Sequence, residues 1–277
     1  MFSMKIRIIS IALTVLMVIG LAGCGSKGIN IGVTTGTTFE AEAKKLTKVN
    51  EVKLYKDDTL TLWELSNGRI DGVITDRMVG TIGIKEAGYT NLKLAGDLLY
   101  KETIAVAVNQ DDDSLRQAIN KALKEIISDG TYATISKQYF DMNILDGIDY
   151  KETYPDETPA TDGSLDRVKK AGKITFAMSG GYRPFNYYTD EDVLTGFDID
   201  IGKEVAKRLG VSYEPITTDW SGIVDGLRSG RYDGIFGSMA ITEERSKVVD
   251  FTDPYYYSGA QLIVRNDSKI SSPDDLK

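Results

Sequence analysis

The side chains able to do chemistry in this sequence are defined first by what is missing. There is no histidine and a single cysteine, Cys24, so Ser-His-Asp, Cys-His and histidine-ligated zinc mechanisms have no raw material, and no disulfide forms within one chain. What remains is charge recognition. Arg245 follows Thr242 by three residues; a guanidinium there offers a carboxylate two parallel N–H bonds, and a helix capped by Thr242 adds its own N–H groups to such an anion site. The plainer alternative is an exposed arginine paired with Glu243 or Glu244. Asp76 ends an apolar run, and the carboxyl ends of strands are where open α/β sheets take ligands. An aspartate there also caps helices, and Arg77 stands beside it. Thr37 and Thr38 follow the apolar run 29–33 and offer hydroxyl and backbone donors, or cap the next helix, or both. Tyr182 and Trp220 each lie beside glycine, proline or polar turn residues, a setting that suits pocket aromatics.

These residues need a scaffold, and the chain signals one twice. Residues 66–74 and 228–236 share the pattern Gly-Arg-X-Asp-Gly running into an apolar strand. Each is preceded by a helical segment and, further upstream, by a strand at 29–33 or 174–178 that enters a Gly/Thr or Gly/Ser turn. This is a βαβ unit occurring twice, and it predicts two α/β lobes. Apolar spacing predicts a helix from 114, a break at Gly130 and a second short helix to 140; another helix from 196 to 209 closes at Gly210. Residues 146–163 hold Pro155, Pro159 and six acidic residues with one lysine, which reads as a surface linker. The length of 277 residues, 42% hydrophobic and 27% charged, is globular composition and excludes disorder as a global description. A net charge of -8 argues against a nucleic-acid partner. Neither a glycine-rich phosphate loop with its lysine nor a metal-ligand cluster is visible, so no cofactor is expected.

Four motifs then follow one another in order: Tyr182-Arg183-Pro184-Phe185, Gly196-Phe197-Asp198-Ile199-Asp200, the run 220–234, and Met239-Ala240-Ile241-Thr242-Glu243-Glu244-Arg245 continuing through Asp253-Pro254-Tyr255-Tyr256. Together they resemble the family 3 extracellular solute-binding proteins, the amino-acid receptors of ABC importers. Residues 164–277 resemble the amino-terminal half of that family. Residues 28 to about 143 resemble its carboxy-terminal half, through 32–38, 68–76 and the closing segment 129–140. The resemblance implies an α/β, two-lobe, periplasmic-binding-protein-like fold of type II, with mixed sheets flanked by helices and the ligand in the cleft between lobes. It implies that Arg245 clamps the ligand carboxylate, Asp76 takes its ammonium, and Thr37 and Thr38 meet the carboxylate from the opposite lobe. Tyr182 and Trp220 then sandwich the ligand side chain, with Ser238 and Ala240 on the same loop and Phe39 adding apolar surface. Ala240 lacks the hydroxyl found in some family members. Ser179 stands where receptors for basic amino acids carry an aspartate, so the expected ligand is a neutral polar or apolar amino acid.

The end of the leading apolar segment, Leu21-Ala22-Gly23-Cys24, resembles the lipobox of bacterial lipoproteins. It implies a signal peptide at 1–23, acylation of Cys24 and a lipidated tether at 24–27, hence an extracytoplasmic, membrane-anchored product. The halves stand in reverse order relative to the family, which reads as circular permutation, with a remnant of a tandem receptor gene as the alternative. On that reading 28–100 form lobe II, 101–145 supply the hinge strand and helices of lobe I, 146–163 are the acidic linker, and 164–277 are the remainder of lobe I. One covalent crossover is expected, near 100–108, where the family has two. A loose crossover would permit a domain-swapped dimer in place of a monomer. Partners expected are the free amino acid, an ABC permease and, through Cys24, the membrane. Two alternatives stay open: a ligand-sensing protein, or a dehydratase-like enzyme on the same fold. Enzyme chemistry needs a cleft acid of raised pKa, whereas Asp76 close to Arg245 is expected to stay ionised.

Overall fold

The structure is a computed structural model and describes residues 28–148, 153 and 157–277. The signal segment, the tether with Cys24 and the centre of the linker lie outside the described residues. The first part of the chain runs β1 (Ile29–Thr34), α1 (Thr38–Ala43), β2 (Val49–Tyr55), α2 (Asp58–Ser66) and β3 (Gly72–Asp76). A π turn at Val79–Gly83 leads into α3 (Ile84–Glu86) and then β4 (Leu92–Asn109). Helices α4 (Asp113–Ser128), α5 (Thr131–Phe140) and α6 (Ser164–Ala171) follow, then β5 (Lys173–Met178) and the short strands β6 (Gly181–Tyr182), β7 (Asn186–Tyr188) and β8 (Leu194–Thr195). The chain closes with α7 (Phe197–Leu209), β9 (Ser212–Thr217), α8 (Ile223–Arg228), β10 (Gly234–Ala240), α9 (Glu243–Ser246), β11 (Val249–Arg265) and a 3-10 turn at Pro273–Leu276.

Among the described residues the strands form one eight-stranded mixed sheet, β2-β1-β3-β11-β4-β10-β5-β9, and one three-stranded sheet, β6-β7-β8. Two parallel units flank an antiparallel centre. β1 lies parallel between β2 and β3, and β5 parallel between β9 and β10. These are the two βαβ units expected from the repeated Gly-Arg-X-Asp-Gly pattern. Strand β3 is buried along its whole length, as a strand covered on both faces must be, and accordingly Gly72-Val73-Ile74-Thr75 shows no alternation of apolar and charged residues before Asp76. Helices α4, α5 and α7 fall where spacing placed them. α7 ends against Gly210 at φ 75°, the left-handed conformation that glycine adopts without strain.

The lobe boundary differs from the expectation in one respect. Residues 164–277 do not all belong to one lobe, and the crossover is double. β4 and β11 run antiparallel along their length, from Asn109 opposite Val249 to Leu92 opposite Arg265. The outer half of β4, Ile104 to Val108, pairs with β10 in lobe I, whereas Ala260 to Val264 of β11 pair with β3 in lobe II. The turn at Pro273–Leu276 then packs Leu276 among Ile31, Val33 and Leu262 of lobe II, and the Leu276 carbonyl accepts the Lys48 N–H (3.1 Å). A continuous strand shows no change in sequence period where it passes from one lobe to the other, so the second crossover left no mark. Gly259 marks the spot: a Cβ there would stand 2.3 Å from the Tyr100 carbonyl oxygen, so only glycine permits the close approach of the two hinge strands. The premise of a single loose crossover therefore falls, and with it the reason for expecting exchange of lobes between chains.

Candidate functional site

The two lobes close over a cavity lined from both sides. Lobe II contributes Thr34, Thr37, Thr38, Phe39 and Asp58 from the carboxyl ends of β1 and β2, and β4 contributes Glu102. Lobe I contributes Ser179, Tyr182, Trp220, Gly237, Ser238, Ala240 and Arg245. Contacts across the rim hold this closed arrangement. The Arg245 Nη2 donates to the Gly36 carbonyl (3.4 Å), the Thr59 hydroxyl donates to the Gly181 carbonyl (3.2 Å), and a Cβ on Gly36 would come within 3.1 Å of the Ser221 Cα.

Arg245 is placed as its sequence setting predicts. The Thr242 hydroxyl accepts the Arg245 N–H (3.1 Å) and caps α9; the guanidinium donates Nη1 to the Ala240 carbonyl (2.8 Å) and lies 5.8 Å from the Trp220 ring centroid. Neither Glu243 nor Glu244 is its hydrogen-bonded partner. Burial pulls the Arg245 pKa down from its ordinary value, and the facing Glu102 and Tyr100 oppose that pull. Glu102 is itself pushed up by burial, against the Thr38 hydroxyl, which donates to it, and against Arg245.

Thr37 is an N-cap, accepting the Glu40 N–H (3.3 Å) while its hydroxyl donates to the Thr34 carbonyl (2.6 Å). Tyr182 stacks on Phe185, with centroids 5.3 Å apart, and both it and Trp220 face the cavity. Ser238 lines the cavity with its hydroxyl already committed: it donates to Asp198 Oδ2 (2.9 Å). Asp198 is fully buried and also accepts from Asn186 Nδ2 (2.8 Å) and the Tyr255 hydroxyl (2.8 Å), while the Ser238 N–H donates to that same hydroxyl (2.9 Å). Asn186 in turn accepts from the Gly180 N–H (2.9 Å) and the Ser179 hydroxyl (3.2 Å). One buried carboxyl thus fixes two loops of the lobe I wall, including Ser238 at a left-handed φ of 59°. Asp198→Ala strands three donors, and we expect it to cost about 3 kcal/mol in urea unfolding and to weaken ligand binding. An unchanged midpoint would refute this account of the wall.

Asp76 departs from its expected place. It is fully buried at the end of β3 and is not among the cavity-lining residues. One oxygen accepts the Met78 N–H (2.6 Å), and the Ser258 hydroxyl acts on the same carboxyl. Nor is it held ionised by Arg245: burial pushes its pKa up to about 7, with Glu102 and Asp58 adding to the rise. The cavity-lining acids are instead Asp58 and Glu102, neither of which the sequence reading singled out. Asp58 follows β2 as Thr37 follows β1 and Asp76 ends β3, so the strand-end rule applied to every parallel strand would have found it. Its neighbour Asp57 caps α2, its side chain accepting the Leu60 N–H (2.9 Å).

Fold and site together define the class: a two-lobe, periplasmic-binding-protein-like α/β protein closed on an interlobe cavity. A family profile for bacterial extracellular solute-binding proteins, family 3, matches residues 25–142 and 174–276; the chain belongs to that family. It is 38% identical over 120 residues to the L-cystine-binding protein TcyJ of Escherichia coli (strain K12), covering 43% of this chain and 45% of that protein. It is 36% identical over 165 residues to the glutamine-binding protein of Geobacillus stearothermophilus, covering 57% and 60%. Among solved structures, the ancestral amino-acid-binding protein AncCDT-1, described as a precursor of cyclohexadienyl dehydratase, is 42% identical at a TM-score of 0.33, covering 33% of this chain and 40% of that one. The chain thus spans about half the length of the curated relatives it matches.

Proposed function

We propose that the protein is the substrate-binding receptor of an ABC importer, lipid-anchored through Cys24, and that it binds a free α-amino acid between its closing lobes. The observation that carries this reading is the half-buried Arg245, which lines the interlobe cavity together with Glu102 and Asp58. A zwitterion needs a forked cation for its carboxylate and an anion for its ammonium, and both are enclosed with Tyr182 and Trp220 as apolar walls. In this reading Arg245 takes the carboxylate, Thr38 and the loop at Thr37 approach it from lobe II, and Glu102 takes the ammonium. The relatives named above bind cystine and glutamine by their names. Circular permutation is part of the proposal: the halves stand in reversed order, yet one chain supplies both hinge strands, and the end of the linker is anchored to α4, where Asp162 accepts from the Ser114 N–H (2.7 Å) and hydroxyl (2.9 Å).

The test is thermal unfolding of the exported chain, with Cys24 replaced, against the twenty amino acids. Ligand at about a hundred times its Kd adds about 2.7 kcal/mol to the folded state, and one or a few amino acids are expected to raise a single cooperative transition. A transition that none of them shifts overturns the receptor reading. The enzyme reading has one observation in its favour, since Asp58 lines the cavity with a pKa raised by burial to about 6, as a general acid requires. Turnover of a bound amino acid or carboxylic acid, followed by mass spectrometry, separates it from reversible binding.

A further inference from the structure

The two lobes also meet outside the ligand cavity, along strand β6. At one end of the strand a Cβ on Gly181 would stand 2.6 Å from the Asp57 Cβ, and Thr59 donates to the Gly181 carbonyl. Beyond the other end a Cβ on Gly83 would stand 2.5 Å from the Arg183 carbonyl oxygen, well inside van der Waals contact. Lobe II by itself gives no reason for a glycine at 83. The backbone there is helical, at φ -60° and ψ -40°, a conformation in which alanine is the more favourable residue. The nearest lobe II side-chain atom to that Cβ would be Val79 Cγ1 at 3.6 Å, which is ordinary contact. What glycine permits is the approach of the opposite lobe. The Arg183 guanidinium serves both sides of this contact: it lies 3.7 Å from the Tyr187 ring centroid in lobe I, and its charge acts on Glu86 of α3 in lobe II. It is the basic residue among those lining an open groove there, whose acids come from both lobes, Asp57 and Glu86 from one and Asp190 and Glu191 from the other. Neither Gly83, Glu86 nor Arg183 lines the ligand cavity.

Resting on the amino-acid receptor reading, we propose that Gly83 and Arg183 are positioning residues for ligand binding, a latch outside the cavity that fixes how readily the lobes close. Gly83 sets the distance of closest approach between lobe II and the segment that follows β6. A side chain at 83 wedges the two apart and holds the cleft ajar. Arg183 supplies the charge that lets two acidic rims come together; without it, closure brings Asp57 and Glu86 towards Asp190 and Glu191 uncompensated. The ligand meets neither residue. The latch therefore acts on affinity only through the population of the closed form, and the apparent Kd rises in inverse proportion to that population.

The experiment attaches nitroxide labels through Leu60→Cys and Glu191→Cys, positions that line the groove from opposite lobes, with Cys24 replaced. Double electron–electron resonance then reads the distance between them, with and without a mixture of the twenty amino acids. In the parent chain the mixture is expected to enrich a short, narrow distance. In Gly83→Ala the ratio of short to long distances is expected to fall about tenfold, and the concentration needed for half of the change to rise about tenfold. Its melting temperature without ligand should stay level or rise, since alanine suits the helical backbone. Arg183→Gln is expected to lose about threefold, the size of an exposed charge pair, and Arg183→Lys to recover most of that loss. Should Gly83→Ala fail to fold, Arg183→Gln decides alone. Parental distances and concentrations in a folded Gly83→Ala would overturn the latch and leave the receptor reading intact; so would a fall in its ligand-free melting temperature, which would make the glycine structural. A parent chain whose distances and melting temperature the mixture leaves unmoved overturns both.

Discussion

Arg245→Ala is expected to lower the affinity for any amino-acid ligand by about a thousandfold, roughly 4 kcal/mol of binding free energy, which is the range for removing one partner of a desolvated charge pair. The magnitude follows from position. Arg245 is the basic residue among those lining the cavity, and its guanidinium also reaches Gly36 across the cleft, so one truncation removes both the carboxylate's counter-charge and a contact of the closed form. Folding should change far less. The cap of α9 is a bond from the Arg245 backbone N–H to the Thr242 hydroxyl, which alanine preserves. Glu102, relieved of its cation, has its pKa moved further in the upward direction that burial already gives it. Arg245→Lys keeps the charge but not the fork and should recover only part of the loss. Calorimetry and an unfolding curve on each variant test this. Near-native affinity in Arg245→Ala would remove the clamp, and a collapsed midpoint would mean that the arginine is chiefly structural.

How much of this was legible in the sequence depends on whether a feature is local. β1, β5 and α7 announce themselves by period and by a glycine at the break, because those signals live within a dozen residues. Nine of the ten residues named from sequence line the cavity, since each lies within a few residues of the carboxyl end of a parallel strand. What a turn position does not reveal is the direction of a side chain. Asp76 ends the right strand, yet its carboxyl is turned to the Met78 N–H and does not line the cavity. Ser238 is on the wall, yet its hydroxyl serves Asp198, and what the residue at 240 offers is its carbonyl, to Arg245. Glu102 lies within a hinge strand and reads as an exposed strand residue until Thr38, 64 positions away, donates to it. The course of β11 through both lobes was invisible for the same reason: lobe membership is decided by pairing partners distant in sequence.

The absence of histidine gives this protein a second measurable signature. Between pH 5 and 8 an ordinary protein titrates its histidines; this chain has none, so proton exchange coupled to folding in that window comes mainly from carboxyls displaced by burial. Asp58 is raised to about 6, and Asp76 and Asp198 to about 7, from a usual value near 3.8, in each case by desolvation first. The folded state therefore holds protons that the unfolded chain has released. Stability tied to these groups is fully present below the unfolded pKa and is lost as pH rises through 6 to 7, at about 1.4 kcal/mol per pH unit for each proton retained. Asp129 and Asp162, held below the usual carboxylate range by hydrogen bonds from Thr131 and Arg208 and from Ser114 and Ser164 respectively, work in the opposite direction, but only as pH falls below about 4. The ligand-free protein should thus be most stable near pH 4 to 5 and should lose several kcal/mol, about 10 °C in Tm, on going from pH 5 to pH 8. Asp198→Asn should flatten that slope by one proton's share. A melting temperature independent of pH between 5 and 8 would mean that these carboxyls are not desolvated in solution, and the lobes would then be open around the site in the absence of ligand.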